Sequence, residues 1–145
     1  MEVINRFAEE GKPFFLYYEK HLVHGSPVPN EEFVGKPVIC PYGDFVLQLD
    51  HYISEIIDKL KEKGIFEETI FIFTSDNGAS GIADLDALKE YGHNPSYIFK
   101  GIKGHIWEGG QLERTIISYP AMIQGSIAYN HEISLFDIDR VLQKH

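Results

Sequence analysis

The sequence predicts an α/β domain: a partial, parallel or mixed sheet with flanking helices. Three observations carry that prediction. Amphipathic helical stripes alternate with short apolar runs, in the order helix, strand, helix, strand that normally pairs strands in parallel. The run Ile70-Phe71-Ile72-Phe73 breaks abruptly into Thr74-Ser75-Asp76-Asn77-Gly78, as a buried strand does when it delivers polar groups to the rim of a sheet. Only three runs read as strands, fewer than an open parallel sheet usually has, so residues 1–145 read as a single partial domain belonging to a larger sheet.

The elements follow in order. Val3, Ile4, Phe7 and Ala8 recur at helical spacing until Gly11 stops the pattern. Pro13 opens Phe14-Phe15-Leu16-Tyr17-Tyr18, an uninterrupted apolar run suited to a buried strand. Residues 21–41 are rich in proline and glycine without periodicity and read as an irregular loop. Phe45, Leu49, Tyr52, Ile53, Ile56, Ile57 and Leu60 then form one stripe of a long helix. Asp44 sits in its first turn, Lys59, Lys61 and Lys63 crowd its end, and Gly64 caps it. After the strand at Ile70–Phe73, residues 82–91 predict a short helix. Residues 92–114 are glycine-rich and unpatterned, long enough for function to explain them better than connection. Thr115-Ile116-Ile117-Ser118-Tyr119 reads as a strand stopped by Pro120, and Ile133 to Leu142 as a last helix.

Composition narrows the function classes. A chain 43% hydrophobic and 13% aromatic folds rather than staying disordered. A formal charge of −9 argues against a general nucleic-acid binder, which needs a basic face. It leaves room for an anionic substrate, because a few local cations or a bound metal reverse the field inside a cleft. Cys40 is the only cysteine, so no intrachain disulfide forms. No apolar run approaches a membrane span, and Met1 to Gly11 lacks the basic start and apolar middle of a signal peptide. The chain is expected to be soluble, and nothing in it names a compartment.

Four places could carry chemistry. Asp76 and Asn77 offer carboxylate and amide oxygens, the hard ligands that Mg²⁺ or Ca²⁺ prefer; the plainer reading is an Asp-Asn-Gly turn. His21 and His24 follow the Phe14–Tyr18 run, where imidazoles are placed for hydrogen bonding or proton transfer; the plainer reading is two idle loop histidines. Zinc is disfavoured, since no HExxH or Cys/His ligand spacing occurs. Lys103, bracketed by Gly101 and Gly104, offers a compact charge to an oxyanion, or else is a solvated loop lysine. Asp44 is most simply a helix-start residue.

Together these pieces resemble the sulfatase family. Gly11-Lys12-Pro13-Phe14-Phe15-Leu16-Tyr17-Tyr18, then His24, Tyr42-Gly43-Asp44 and Leu49-Asp50 stand in the family's order. So do Phe73-Thr74-Ser75-Asp76-Asn77-Gly78, Lys103-Gly104 and Trp107-Glu108-Gly109-Gly110. The pattern covers about Lys12 to Tyr119 and is most similar to arylsulfatase-type enzymes with the alkaline-phosphatase-like fold, here the C-terminal part of the catalytic domain. The resemblance implies sulfate-ester hydrolysis, with Asp76 and Asn77 as one pair of Ca²⁺ ligands. It implies Lys103 contacting sulfate oxygens, and His24 beside the sulfate to hydrogen-bond it or assist proton transfer. Such a set surrounds a sulfate with cations and donors, favouring a transition state in which negative charge moves to the ester oxygen. The implied substrate is a sulfated small molecule or glycan.

The same resemblance sets limits. Sulfatases attack with a formylglycine made in a C-x-P-x-R signature. Ile39-Cys40-Pro41-Tyr42-Gly43-Asp44 lacks that spacing and its arginine, so Cys40 reads as a packed or loop thiol. The N-terminal Asp-Asp metal ligands are likewise absent from this sequence, and after Gly110 the usual arginine and proline are replaced by Gln111-Leu112-Glu113-Arg114-Thr115. The expectation is an incomplete sulfatase, inactive alone, that works with an N-terminal sulfatase portion and self-associates through exposed sheet edges. The alternatives are a non-catalytic binding or assembly module and, less favoured, a phosphatase or phosphodiesterase relative.

Overall fold

The computed structural model describes residues 1–20, 22–25, 28–36 and 40–142; His21 lies outside them. Five helices and a two-stranded sheet make up the described architecture: α1 (Glu2–Glu10), α2 (Pro41–Glu62), β1 (Phe71–Phe73), α3 (Leu85–Glu90), α4 (Glu108–Gln111), β2 (Ile116–Ser118) and α5 (Leu135–Leu142). Single 3-10 turns stand at Glu31–Phe33, Phe66–Glu68 and Gly81–Ala83.

α1 follows the predicted stripe and buries Ile4. Gly11 ends it in the left-handed conformation (φ +61°), donating its N–H to the Ala8 carbonyl. α2 begins earlier than its apolar stripe suggests, with Pro41 in its first turn, where a missing N–H costs nothing. Its deepest residues are Phe45 and Leu60 together with two polar ones, Asp44 and Gln48. Asp44 Oδ2 accepts the Gly35 N–H (2.9 Å), while Gln48 Oε1 accepts the Asn30 N–H (2.9 Å) and its Nε2 donates to Tyr52 Oη (3.0 Å). The irregular loop before α2 is therefore held through buried polar side chains of the helix, a role that apolar periodicity does not reveal. Phe33 from that loop completes the packing.

Two expectations about the sheet need correction. The predicted parallel pairing is antiparallel: Phe71 faces Ser118, Ile72 faces Ile117 and Phe73 faces Ile116. Long intervening chain permits either direction, so alternation of helices and strands does not fix the sense of pairing. Phe14–Tyr18 has no regular secondary structure and joins no ladder among the described residues, and it is not buried: Phe15 and Tyr17 are 70% and 77% exposed. An apolar run becomes a strand only where another strand takes up its N–H and C=O groups. Here it lies beside the helices instead. Phe14 stacks on Phe7 (centroids 5.0 Å apart), and Leu16 and Tyr18 share a small cavity with Ile4 and Ile56.

Candidate functional site

Asp76 and Asn77 lie immediately past β1, Asp76 exposed and Asn77 half-buried. The ladder brings the chain after β1 against the chain before β2, and Thr74 Oγ1 meets Thr115 Oγ1 at 3.0 Å, one step beyond the last paired residues. The same register continued sets Asp76 opposite Glu113.

Glu113 carries the electrostatic mark of that placement. Burial pushes its carboxyl above the ordinary range, the Asp76 carboxylate pushes the same way, and Arg114 opposes them. Tyr42, in the first turn of α2, is also raised, first by burial and then by Glu113 and Cys40. Glu113 thus lies within electrostatic reach of both Tyr42, at the start of α2, and Asp76, past β1. Glu113 is not among the candidate site residues read from sequence, because only the pairing of β1 with β2 brings it near Asp76; Tyr42 entered only as part of the Tyr42-Gly43-Asp44 motif, with no role given.

The glycine-rich segment docks on this strand end by its backbone. Gly78 N–H donates to the Gly110 carbonyl (3.1 Å), Lys103 N–H to the Ala79 carbonyl (2.8 Å), and Gly109 N–H to the Lys100 carbonyl (2.9 Å). Glycine is required here for space. A Cβ on Gly78 would overlap the Gly109 carbonyl, and one on Gly110 would stand 2.5 Å from the carbonyl oxygens of both Ile102 and His105. The loop is braced outside by Lys100, whose ammonium lies 4.1 Å from the centre of the Trp107 ring. Residues 100–110, predicted irregular, form a compact loop carried on α4, and it holds the Lys103 backbone against the chain that follows Asp76 and Asn77.

The Lys103 side chain is exposed, with no described hydrogen bond or ion pair. His24 is exposed in a turn over 22–25, where Val23 has φ +62°; no described contact joins it to Asp76, Asn77 or Lys103. Cys40 is the half-buried residue preceding α2. As donors for a hard cation, Asp76 and Asn77 are right in kind. They are few in number, and among the described residues no group of three or more His, Cys, Asp or Glu gathers as a metal site.

Comparison with known proteins accounts for the combination of motif order and loop packing. The sulfatase family model matches residues 1–138, and the chain belongs to the sulfatase family. It is 38% identical over 120 residues to an N-acetylgalactosamine-6-O-sulfatase of Bacteroides thetaiotaomicron, covering 81% of this chain and 24% of that protein. It is 33% identical to human arylsulfatase H over 136 residues, covering 93% of this chain and again 24% of the relative. A solved structure described under the metabolism of multiple glycosaminoglycans by Bacteroides thetaiotaomicron superposes with a TM-score of 0.73 at 33% identity, over 85% of this chain and 27% of the other. The fold is accordingly part of the alkaline-phosphatase-like architecture of sulfatases, and the chain is related to sulfate-ester hydrolases. It spans about a quarter of the length of the curated relatives it matches.

Proposed function

We propose that this chain supplies the cation-holding and sulfate-facing part of a sulfate-ester hydrolase site. The observation that carries the reading is the backbone docking of the Lys103 loop onto the chain after β1, through the Lys103 N–H to Ala79 and Gly78 N–H to Gly110 hydrogen bonds. Two unlike polar elements, a carboxylate–amide pair and an exposed ammonium, are thereby presented by a shared backbone frame. Asp76 and Asn77 would hold a Ca²⁺ ion, which supplies positive charge beside the sulfate when bound. Lys103 offsets charge on sulfate oxygens as it shifts toward the leaving group. His24 is assigned to sulfate binding or proton transfer from its place in the motif order. The substrate class is a sulfated small molecule or glycan.

Hydrolysis also needs a nucleophile. The C-x-P-x-R sequence that yields formylglycine does not occur in these 145 residues, so the reading includes an N-terminal sulfatase portion as the partner that brings it. The same observation favours a second reading, in which the chain is a non-catalytic binding or assembly module.

An aromatic sulfate ester separates the two. The 145-residue chain alone should give background turnover. Mixing with an N-terminal sulfatase portion carrying C-x-P-x-R should restore hydrolysis, and Lys103→Ala should abolish it. Restoration that Lys103→Ala and Asp76→Ala both leave intact would overturn the site assignment; absence of restoration with a folded complex would favour the binding module. With two protein ligands, Ca²⁺ should leave the melting temperature of the isolated chain nearly unchanged. A rise of several degrees abolished by Asp76→Ala would show a more complete cation site.

A further inference from the structure

Asn77 is the one asparagine of this chain that a glycine follows. Such a pair favours attack of the backbone on the asparagine side chain. Gly78 has no Cβ to hinder its nitrogen from reaching the Asn77 amide carbon. Yet the glycine is not free to change. A Cβ on Gly78 would overlap the Gly109 carbonyl oxygen, so the docking of the loop on the chain after β1 itself demands the reactive pair.

The same docking holds the reaction off. The attacking atom is the Gly78 nitrogen, which is buried and donates its N–H to the Gly110 carbonyl (3.1 Å). Gly110 is buried in turn, with its own N–H given to the Trp107 carbonyl (2.8 Å). One residue further on, the Ala79 carbonyl accepts the Lys103 N–H (2.8 Å) and pins the chain on its other side. Ring closure requires the Gly78 nitrogen to lose its proton and turn toward the Asn77 side chain. While it donates to Gly110 it does neither. The opposite influence is also present. Ser75 Oγ donates to the Asn77 carbonyl (3.2 Å), drawing electron density from the peptide whose N–H must ionise.

We propose that Asn77–Gly78 is a deamidation site, closed while the Gly109-Gly110 turn is docked and opened when that turn lifts. On opening, the Gly78 nitrogen bonds to Asn77 Cγ and the Cγ–Nδ2 bond breaks. The proton of Gly78 passes through water to the departing nitrogen, which leaves as ammonia, and a cyclic imide remains. One water then adds to either imide carbonyl and breaks one of its two C–N bonds. The products are aspartate, or isoaspartate with the main chain running through the former side chain. Either one sets a second carboxylate beside Asp76, and isoaspartate also lengthens the chain between β1 and the docked turn. The chemistry stands apart from the proposed function. Only its consequence, the replacement of one of two proposed cation ligands, rests on that reading.

Peptide mapping by mass spectrometry tests it on the full 145-residue chain at neutral pH, reading the mass gain from amide to carboxylate. Asn130 is exposed in irregular chain and serves as the internal reference. One net hydrogen bond shifts a population about fivefold, so conversion at Asn77 relative to Asn130 should rise by at least that factor in urea. Under native conditions Gly110→Ala should raise the same ratio by about fivefold. Asp44→Ala removes the hydrogen bond to Gly35 and none at Gly78, so it should leave the ratio as in wild type. If Gly110→Ala does not fold, the urea comparison on the wild-type chain decides. Equal ratios in folded and urea-unfolded chain would overturn the proposal, and so would an equal rise in Asp44→Ala. The ratios are read without substrate or cation, so they hold or fail independently of the proposed hydrolase site.

Discussion

At Gly110 a single methyl group would stand 2.5 Å from two carbonyl oxygens, and at Gly78 it would overlap a third. Because the obstacles are backbone atoms, neither substitution can be relieved by turning a side chain. Gly110→Ala should destabilise the chain by about 1–3 kcal/mol, the usual cost of overpacking, read as a lower urea midpoint. An unchanged midpoint would mean the loop is not docked as described. Glu113 makes a second prediction at this scale. Burial and the Asp76 carboxylate raise its proton affinity in the folded state, so the folded chain holds that proton more tightly than the unfolded one. Stability linked to Glu113 is therefore greatest below the ordinary value of 4.5 and falls as pH rises through the higher folded-state value. Glu113→Gln should remove that fall. In metal-free buffer the variant should be slightly more stable than wild type at neutral pH, the effect kept small by the exposure of Glu113, and should match it in acid. A difference that does not vary with pH would contradict the placement of Glu113 beside Asp76.

Among the elements, α2 organises the most chain. Its stripe was legible from Phe45 to Leu60, yet the positions that hold the preceding loop are Asp44 and Gln48, both buried. Asp44 acts twice, as an acid in the first turn of a helix and as the acceptor for the Gly35 N–H. Its other oxygen is buried without a partner among the described residues. Asp44→Ala should cost about 1–2 kcal/mol, with Asp44→Asn costing less because an acceptor for Gly35 remains. Equal losses would show that charge, rather than the loop hydrogen bond, is what matters. The Phe14–Tyr18 run shows the opposite situation, a segment with strand composition and, among the described residues, no strand that it joins.

Over the whole molecule, apolar surface is left uncovered. Besides Phe15 and Tyr17, Ile116 on β2 is 59% exposed and Ile117 44%. Among the described residues the sheet is two strands wide, so each strand offers an edge unpaired by them. The described core rests on a few residues, Ile4, Phe33, Phe45, Leu60, Ala83 and Leu88, with no large side chain entirely buried. The isolated chain should self-associate through these faces, visible in light scattering as mass rising with concentration. An N-terminal sulfatase portion that covers them should return the complex to one defined mass. A monodisperse monomer of the isolated chain at high concentration would argue against the uncovered edges acting as binding surfaces.

Much of the local structure was legible because its causes are local. Helical spacing and the terminal Gly11 and Gly64 located α1 and α2. The break from Phe73 into Asp76-Asn77-Gly78 placed the candidate ligands past a strand, and motif order named the family that the comparisons bear out. The sequence by itself also supplied the donor chemistry, since carboxylate, amide and ammonium are properties of residue types. Only tertiary structure decided what those groups stand against. The antiparallel register brought Glu113 near Asp76, and hydrogen bonds involving Gly78 and Lys103 joined a loop to the chain just past β1. Helical and strand periodicity record only which face of a segment is apolar. The sense of strand pairing and the approach of two backbones depend on contacts between distant segments.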